Sequence, residues 1–451
     1  MIEKIALYFI TLFIYIAWLF YAVKTNKIKE FPIISACFLG FFVFNALGSI
    51  LIMFPNTIPI PRENYFSYDY ILMLNIQAII FYTVTSIYFY IIKKLSHQKK
   101  ILIKTKITDS VFLYSIFGIT VLLLLIFFSK IGSPPLVELL MGNLSSRNEI
   151  IDYRTQVIYS VNARFSSLVF DILPMFVSCY AFLKTVSKKR NIYDYIIIAS
   201  CILISTLPGG KGSILNIAIA LFFAYLISQG ESFYAPRKII SIKWAFSLFS
   251  SAFIPVLLLY NVYYGSEFNI FEQLKLLLYR IIGVYSESLA ATVTYAEEFG
   301  FINGNTLPNL KGFLTHEPIQ ISKEMHIFLF NSNRGNAPIS ALAEGYINFG
   351  WFGFILFAFI TFLTVIGIQQ ILSSMPRNLF TLSLTVIYGI MATRVAQTGL
   401  FITLLSLTYL MLFCLLFLMR AILVTLFKCK PGVNLGKTAK LINLDSSTTL
   451  K

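Results

Sequence analysis

Charge is what this sequence has least of. Only 12% of its 451 residues are charged, with 20 Asp and Glu against 36 Lys and Arg. That is too little to solvate the surface of a soluble enzyme of this length, and 57% of the residues are hydrophobic. Cysteine is also scarce, with five residues. Cys37, Cys179, Cys201, Cys414 and Cys429 lie in or beside apolar runs without metal-ligand spacing, so neither a zinc module nor disulfides are expected. No D-x-D motif occurs, and there is no internal repeat or low-complexity linker. The opening MIEKIALYFITLFIYIAWLFYAVK lacks a small-residue cleavage site after its apolar run, so it reads as a retained span and not a removed signal.

What the chain has in abundance is long apolar runs. A run of about 20 such residues crosses the roughly 30 Å hydrocarbon core as a helix. Backbone groups in lipid must bond within their own segment, so these runs specify helices and not open strands. The reading is an all-α polytopic membrane protein with eleven spans, near residues 4–23, 32–54, 71–92, 110–129, 165–183, 192–208, 213–229, 244–264, 350–373, 379–398 and 400–427.

Alternate connections are basic: KTNKIK, KKLSHQKKILIKTK, KTVSKKR, PRKIISIK, MPR and the carboxy-terminal tail. Most of the Lys and Arg then fall on one side, which the positive-inside rule places in the cytoplasm, with the amino terminus outside. The basic balance is thereby accounted for by orientation and anionic headgroups, and nucleic acid is not an expected partner. Four regions follow: 1–264 with eight spans and an outer loop at 130–164, a large outer loop at 265–349 with an amphipathic helix, three spans in 350–427, and a basic tail at 428–451.

Chemistry, on this topology, belongs to the outer face. In FNIFEQLKLLLYRIIGVYSES the apolar positions Ile270, Leu274, Leu277, Leu278, Ile281 and Tyr285 recur at helical spacing. Gln273, Arg280 and Glu287 are seven apart and share a second face, as on a helix lying at the membrane surface. The rest of the loop holds His316 and His326, suited to proton transfer near neutral pH, and Arg334 beside Gly335, suited to an anion. Glu344, in ALAEGYINFGWFG, enters the outer boundary, where a carboxylate needs water, an arginine or a substrate. Arg147, Arg154 and Arg164 lie in the 130–164 loop with Glu149 and Asp152. Arg394 sits inside the tenth span and needs a partner, either Asp171 or a lipid phosphate.

The stretch TLPGGKGSIL, residues 206–215, resembles a phosphate-binding loop but fails as one. Gly212 stands where the motif needs Ser or Thr, and the flanks are membrane spans. What remains is a hairpin at which free backbone N–H groups and Lys211 offer an anion site.

The GGKGSIL hairpin, the large outer loop before a late span, and the entry AEGYINFGWFGFIL resemble the Wzy-type O-antigen and capsule repeat-unit polymerases. The resemblance covers nearly the whole chain in topology, although that family commonly has arginine where Lys211 stands. It implies a metal-independent membrane glycosyltransferase without cofactor. Such an enzyme joins oligosaccharide units carried on undecaprenyl diphosphate at the periplasmic face of a bacterial inner membrane, often with a Wzz-type chain-length regulator. Carried onto this sequence, Arg280, Arg334, Arg394 and Lys211, with Arg147 and Arg154, would neutralise the diphosphate. Glu344, or else His316 or His326, would deprotonate the attacking hydroxyl. Glu63 and Asp69 lie where other lipid-dependent glycosyltransferases place acids. The competing readings are an O-antigen ligase, which uses a loop histidine, and a lipid-linked oligosaccharide flippase.

Overall fold

The computed structural model describes residues 2–25, 27–54, 65–95, 108–144, 149, 152–153, 156–157, 163–187, 191–208, 211–228, 270–307, 318–333, 335–376 and 378–428. Every regular element among them is helical. Those that build the bundle are α1 (Ile2–Lys24), α2 (Pro32–Met53), α3 (Tyr68–Leu95), α4 (Thr108–Ile131), α5 (Phe165–Ser187), α6 (Ile192–Thr206) and α7 (Lys211–Ser228). After residues 229–269 follow α8 (Ile270–Leu278, Tyr279–Gly283 and Val284–Phe299), α9 (Ile321–Phe330), α10 (Ala341–Ser374), α11 (Leu379–Arg394) and α12 (Leu407–Lys428).

Seven of these are long and apolar enough to cross a membrane, and α6, α7, α11 and α12 contain shorter apolar helices. This is the build of a multi-pass membrane protein. The expected span at 244–264 lies outside the described residues. Helix α8 is the difference from the sequence reading: its stretch Leu274–Phe299 is itself long and apolar enough to span, and its second half is largely buried in the bundle. Leu289, Ala290, Ala291 and Thr292 are buried against neighbouring helices. The surface-helix expectation therefore needs correction over the second half of the segment.

Lipid tails do not drive helices together by hydrophobicity, so close packing and interhelical hydrogen bonds must. Small residues mark the crossings. Gly40 of α2 lies against the Thr393 backbone of α11, leaving no room for a Cβ. Gly48 of α2 meets Ser286 and the Ile282 carbonyl of α8 in the same way. Aromatic rings fill the gap between α1, α2 and α3: Trp18 stacks on Phe38 at 4.0 Å, and its Nε1–H donates to Thr85 Oγ1 at 3.2 Å.

Among the described residues three helices contain a π-helical turn: Phe41–Leu47 in α2, Leu168–Ile172 in α5 and Tyr279–Gly283 in α8. Such a turn inserts one residue and releases carbonyls from the normal ladder. In α2 these carbonyls are met by neighbouring hydroxyls. Tyr8 donates to Ala46 O at 2.6 Å, and Ser286 donates to Phe44 O and Asn45 O. The bulge is thus paired to α1 and α8 and not merely tolerated.

Helix α10 is not straight. Phe349 (φ −139°, ψ 18°) and Gly350 (φ 62°, ψ −148°) break it, and the two halves fold so tightly that Gly345 and Gly353 face each other with no room for a Cβ on either. Gly350 has the positive φ that glycine adopts most freely. The short arm Ala341–Asn348 is thereby set at an elbow, with Ser340 capping it by accepting from Ala343 N at 3.2 Å.

Candidate functional site

Polar groups gather at two opposite ends of the bundle. Asp171 and Lys184 lie on α5, separated by about 20 Å of helix rise. At the first end, the Arg394 guanidinium donates to the Asp171 carboxylate at 3.1 and 3.4 Å and to the Tyr409 hydroxyl at 3.3 Å. Asn216 of α7 donates to Asp171 Oδ1 at 3.0 Å. Of the two partners open to Arg394 from sequence, Asp171 is in contact. The pair retains access, with the side chains of Arg394 and Asp171 19% and 14% exposed.

The π turn in α5 contains Asp171, and the one in α8 contains Arg280. Tyr285 lies within electrostatic range of both Arg394 and Arg280, and Arg280 within range of His326. Asp171 and Arg394 are hydrogen-bonded, and Tyr285, Arg280 and His326 lie within electrostatic range along this side of α8 and α9. Arg280 itself is exposed. Glu287 is not on its face. It is buried and accepts from the Tyr279 hydroxyl, because the inserted residue of the π turn rotates everything after Gly283 relative to Gln273 and Arg280. The seven-residue period that put the three on one face does not survive that insertion.

His326 packs its ring on Phe330 at 4.7 Å and against Gly335, and its Nδ1 has no hydrogen-bond partner among the described residues. Partial burial, and then the nearby Arg280 charge, hold its pKa below the ordinary histidine value.

The short arm of α10 docks on the turn that follows α11 through Ala341 N–H to Val395 O at 3.1 Å. Glu344 on this arm is 6% exposed. Its Oε1 accepts from the Thr306 hydroxyl at 3.1 Å, while Oε2 is buried against Gly399 with no partner among the described residues. Asp69 opens α3, in its first turn. Lys211 is the first residue of α7, two residues before the start of the expected span at 213–229. The side chain of Lys211, and Arg147, Arg154, Arg334, His316 and Glu63, lie outside the described residues. Among the described residues no three His, Cys, Asp or Glu side chains gather as metal ligands.

Sequence reading missed Asn216, Tyr409, Thr306 and Asn348. A polar residue inside an apolar run was a signal for Asn216. Asn348, four residues after Glu344 and so on the same helix face, was another.

A scan against protein-family models, a search of curated proteins and a search of solved structures each returned no match.

Proposed function

We propose that this protein polymerises undecaprenyl-diphosphate-linked oligosaccharide repeat units at the periplasmic face of the bacterial inner membrane. The observation that carries the reading is the company Arg394 keeps. It shares one end of a membrane bundle with an exposed arginine, Arg280, and is followed directly by the turn against which the Glu344 carboxylate lies. Cations there suit a lipid diphosphate, and a carboxylate oxygen without a partner among the described residues suits an incoming hydroxyl.

In the proposed reaction a sugar hydroxyl of the incoming unit attacks the anomeric carbon of the growing chain. A new carbon–oxygen bond forms, the bond to the diphosphate breaks, and undecaprenyl diphosphate leaves with the bonding electrons. The hydroxyl proton goes to Glu344. Arg280 and Arg394, with Lys211 at the start of α7, offset the charge developing on the leaving diphosphate. Arg334, Arg147 and Arg154 are further cations for that task. A Wzz-type regulator is the proposed partner for chain length.

His326, whose Nδ1 has no partner among the described residues and which lies near Arg280, supports ligation of the same donor chain to a lipid core as a second reading. Deleting the gene in its host separates the two. Polymerase activity predicts surface polysaccharide reduced to single-unit caps, whereas uncapped core with accumulated long lipid-linked chains contradicts it and favours ligation.

A further inference from the structure

The Glu344 carboxylate is held by a relay in which every donor has a fixed direction. Asn348, one turn further along the arm, has both ends of its amide committed. Its Oδ1 accepts the Gly304 N–H at 2.9 Å, so Nδ2 is the end that donates to Thr306 Oγ1 at 2.6 Å and to Glu344 O at 2.7 Å. A backbone N–H can only donate, which settles which way the amide lies. Threonine has one hydroxyl proton. Because Thr306 accepts from Asn348, that proton is directed to Glu344 Oε1 at 3.1 Å.

The loop that carries Thr306 is pinned to the same arm. Ile302 N and Asn303 N donate to Ile347 O and Asn348 O at 3.0 and 3.1 Å. Asn303 and Gly304 adopt φ of 49° and 89°, which turns the chain back so that Thr306 reaches the carboxylate. Oε1 is therefore occupied. Oε2 is buried against Gly399 and has no partner among the described residues.

We propose that Thr306 and Asn348 are positioning residues that fix the Glu344 carboxylate through Oε1 and so present Oε2 as the oxygen that receives the acceptor's proton. This rests on the reading of Glu344 as the base. A passive buried hydrogen bond would need a donor of any kind. The relay needs a hydroxyl that both accepts and donates, with a donor and not an acceptor at position 348.

Dicyclohexylcarbodiimide, which modifies a carboxyl in its protonated form, reads this without turnover. The full-length protein in lipid nanodiscs is labelled, and modification of Glu344 is followed by mass spectrometry with Glu344→Gln as the blank. Losing a donor to the carboxylate lets it keep its proton more readily, so Thr306→Val is expected to label about tenfold faster. Thr306→Ser restores the slow rate. Asn348→Asp labels like Thr306→Val although the hydroxyl is still present, because an acceptor at 348 draws that proton away. In polymer synthesis, Thr306→Val lowers kcat and leaves KM unchanged, and Thr306→Ser recovers kcat.

Equal labelling of the Val and Ser variants, or slow labelling of Asn348→Asp, overturns the proposal. If Thr306→Val does not accumulate, Asn348→Asp against Thr306→Ser makes the same comparison. Wild-type protein that labels as stated but forms no polymer removes the polymerase reading by itself, so the two failures are told apart.

Discussion

Helix α5 carries an ion pair near each of its ends, and the two are built differently. Lys184 and Asp194 meet at 2.8 Å with side chains 6% and 0% exposed, and one turn earlier on α5 the buried Tyr180 hydroxyl donates to Asp109 at 2.9 Å. Arg394 and Asp171 meet at 3.1 Å with access to their surroundings, and Arg394 also reaches Tyr409. Each end leaves one carboxylate oxygen without a partner among the described residues, on Asp194 and on Glu344. Asp194, however, is neutralised by a lysine at contact distance, whereas among the described residues Glu344 receives only hydroxyl donation. A sealed pair with matched charges stabilises or orients helices. An accessible pair flanked by a further arginine can respond to a ligand.

The largest expected effect is at the sealed end. Lys184→Ala leaves Asp194 buried and unpaired, which costs about 3–5 kcal/mol, read as a fall in melting temperature and membrane-inserted yield. Replacing both partners, Lys184→Met with Asp194→Leu, recovers most of that loss. Arg394→Gln behaves in the opposite way. Its melting temperature changes little, because Asp171 keeps Asn216 and is not sealed in the bundle, while polymer synthesis falls by about 10²–10³. A variant of the sealed end that folds normally but makes no polymer would break the comparison.

A smaller effect separates two glycines. Gly399→Ala puts a methyl into the place of Glu344 Oε2, and about a tenfold loss of activity is expected at unchanged protein level. Gly367, on the same long helix as Glu344, has nothing within 4 Å of an added Cβ, so Gly367→Ala is silent in the same assay.

The smallest effect is on pH dependence. His326 takes its proton below the ordinary histidine value of about 6.5, so the fold favours its neutral form. Its contribution to stability is complete above that value and is lost as pH falls through the lowered one. Arg280→Gln removes one of the two causes and raises the His326 midpoint, measurable by NMR of labelled histidine in the intact protein.

The helical, membrane-bound character of the chain was legible because apolar runs of span length have few other solutions. Asp171 could be named as a partner for Arg394 because an arginine inside a span needs one. The π turns were not legible. Two of them are stabilised by hydroxyls from helices far away in sequence, as Ser286 supports Phe44 O and Ser205 supports Phe170 O, and each shifts every residue after it. That is why Glu287 read as the companion of Arg280 and is instead buried with Tyr279. The Thr306–Glu344 contact was hidden for a related reason: 38 positions separate the pair, and the left-handed turn at Asn303 and Gly304 closes the distance.

The most direct test uses purified protein in nanodiscs with lipid-linked repeat units, scored by polymer length on a gel. Wild type, the Lys184→Met/Asp194→Leu pair and Arg394→Gln are compared at equal folded amounts. Polymer from the first two and none from Arg394→Gln is the predicted result. Polymer from Arg394→Gln at the wild-type rate, or none from the Lys184→Met/Asp194→Leu pair, contradicts the assignment of chemistry to the Arg394 end.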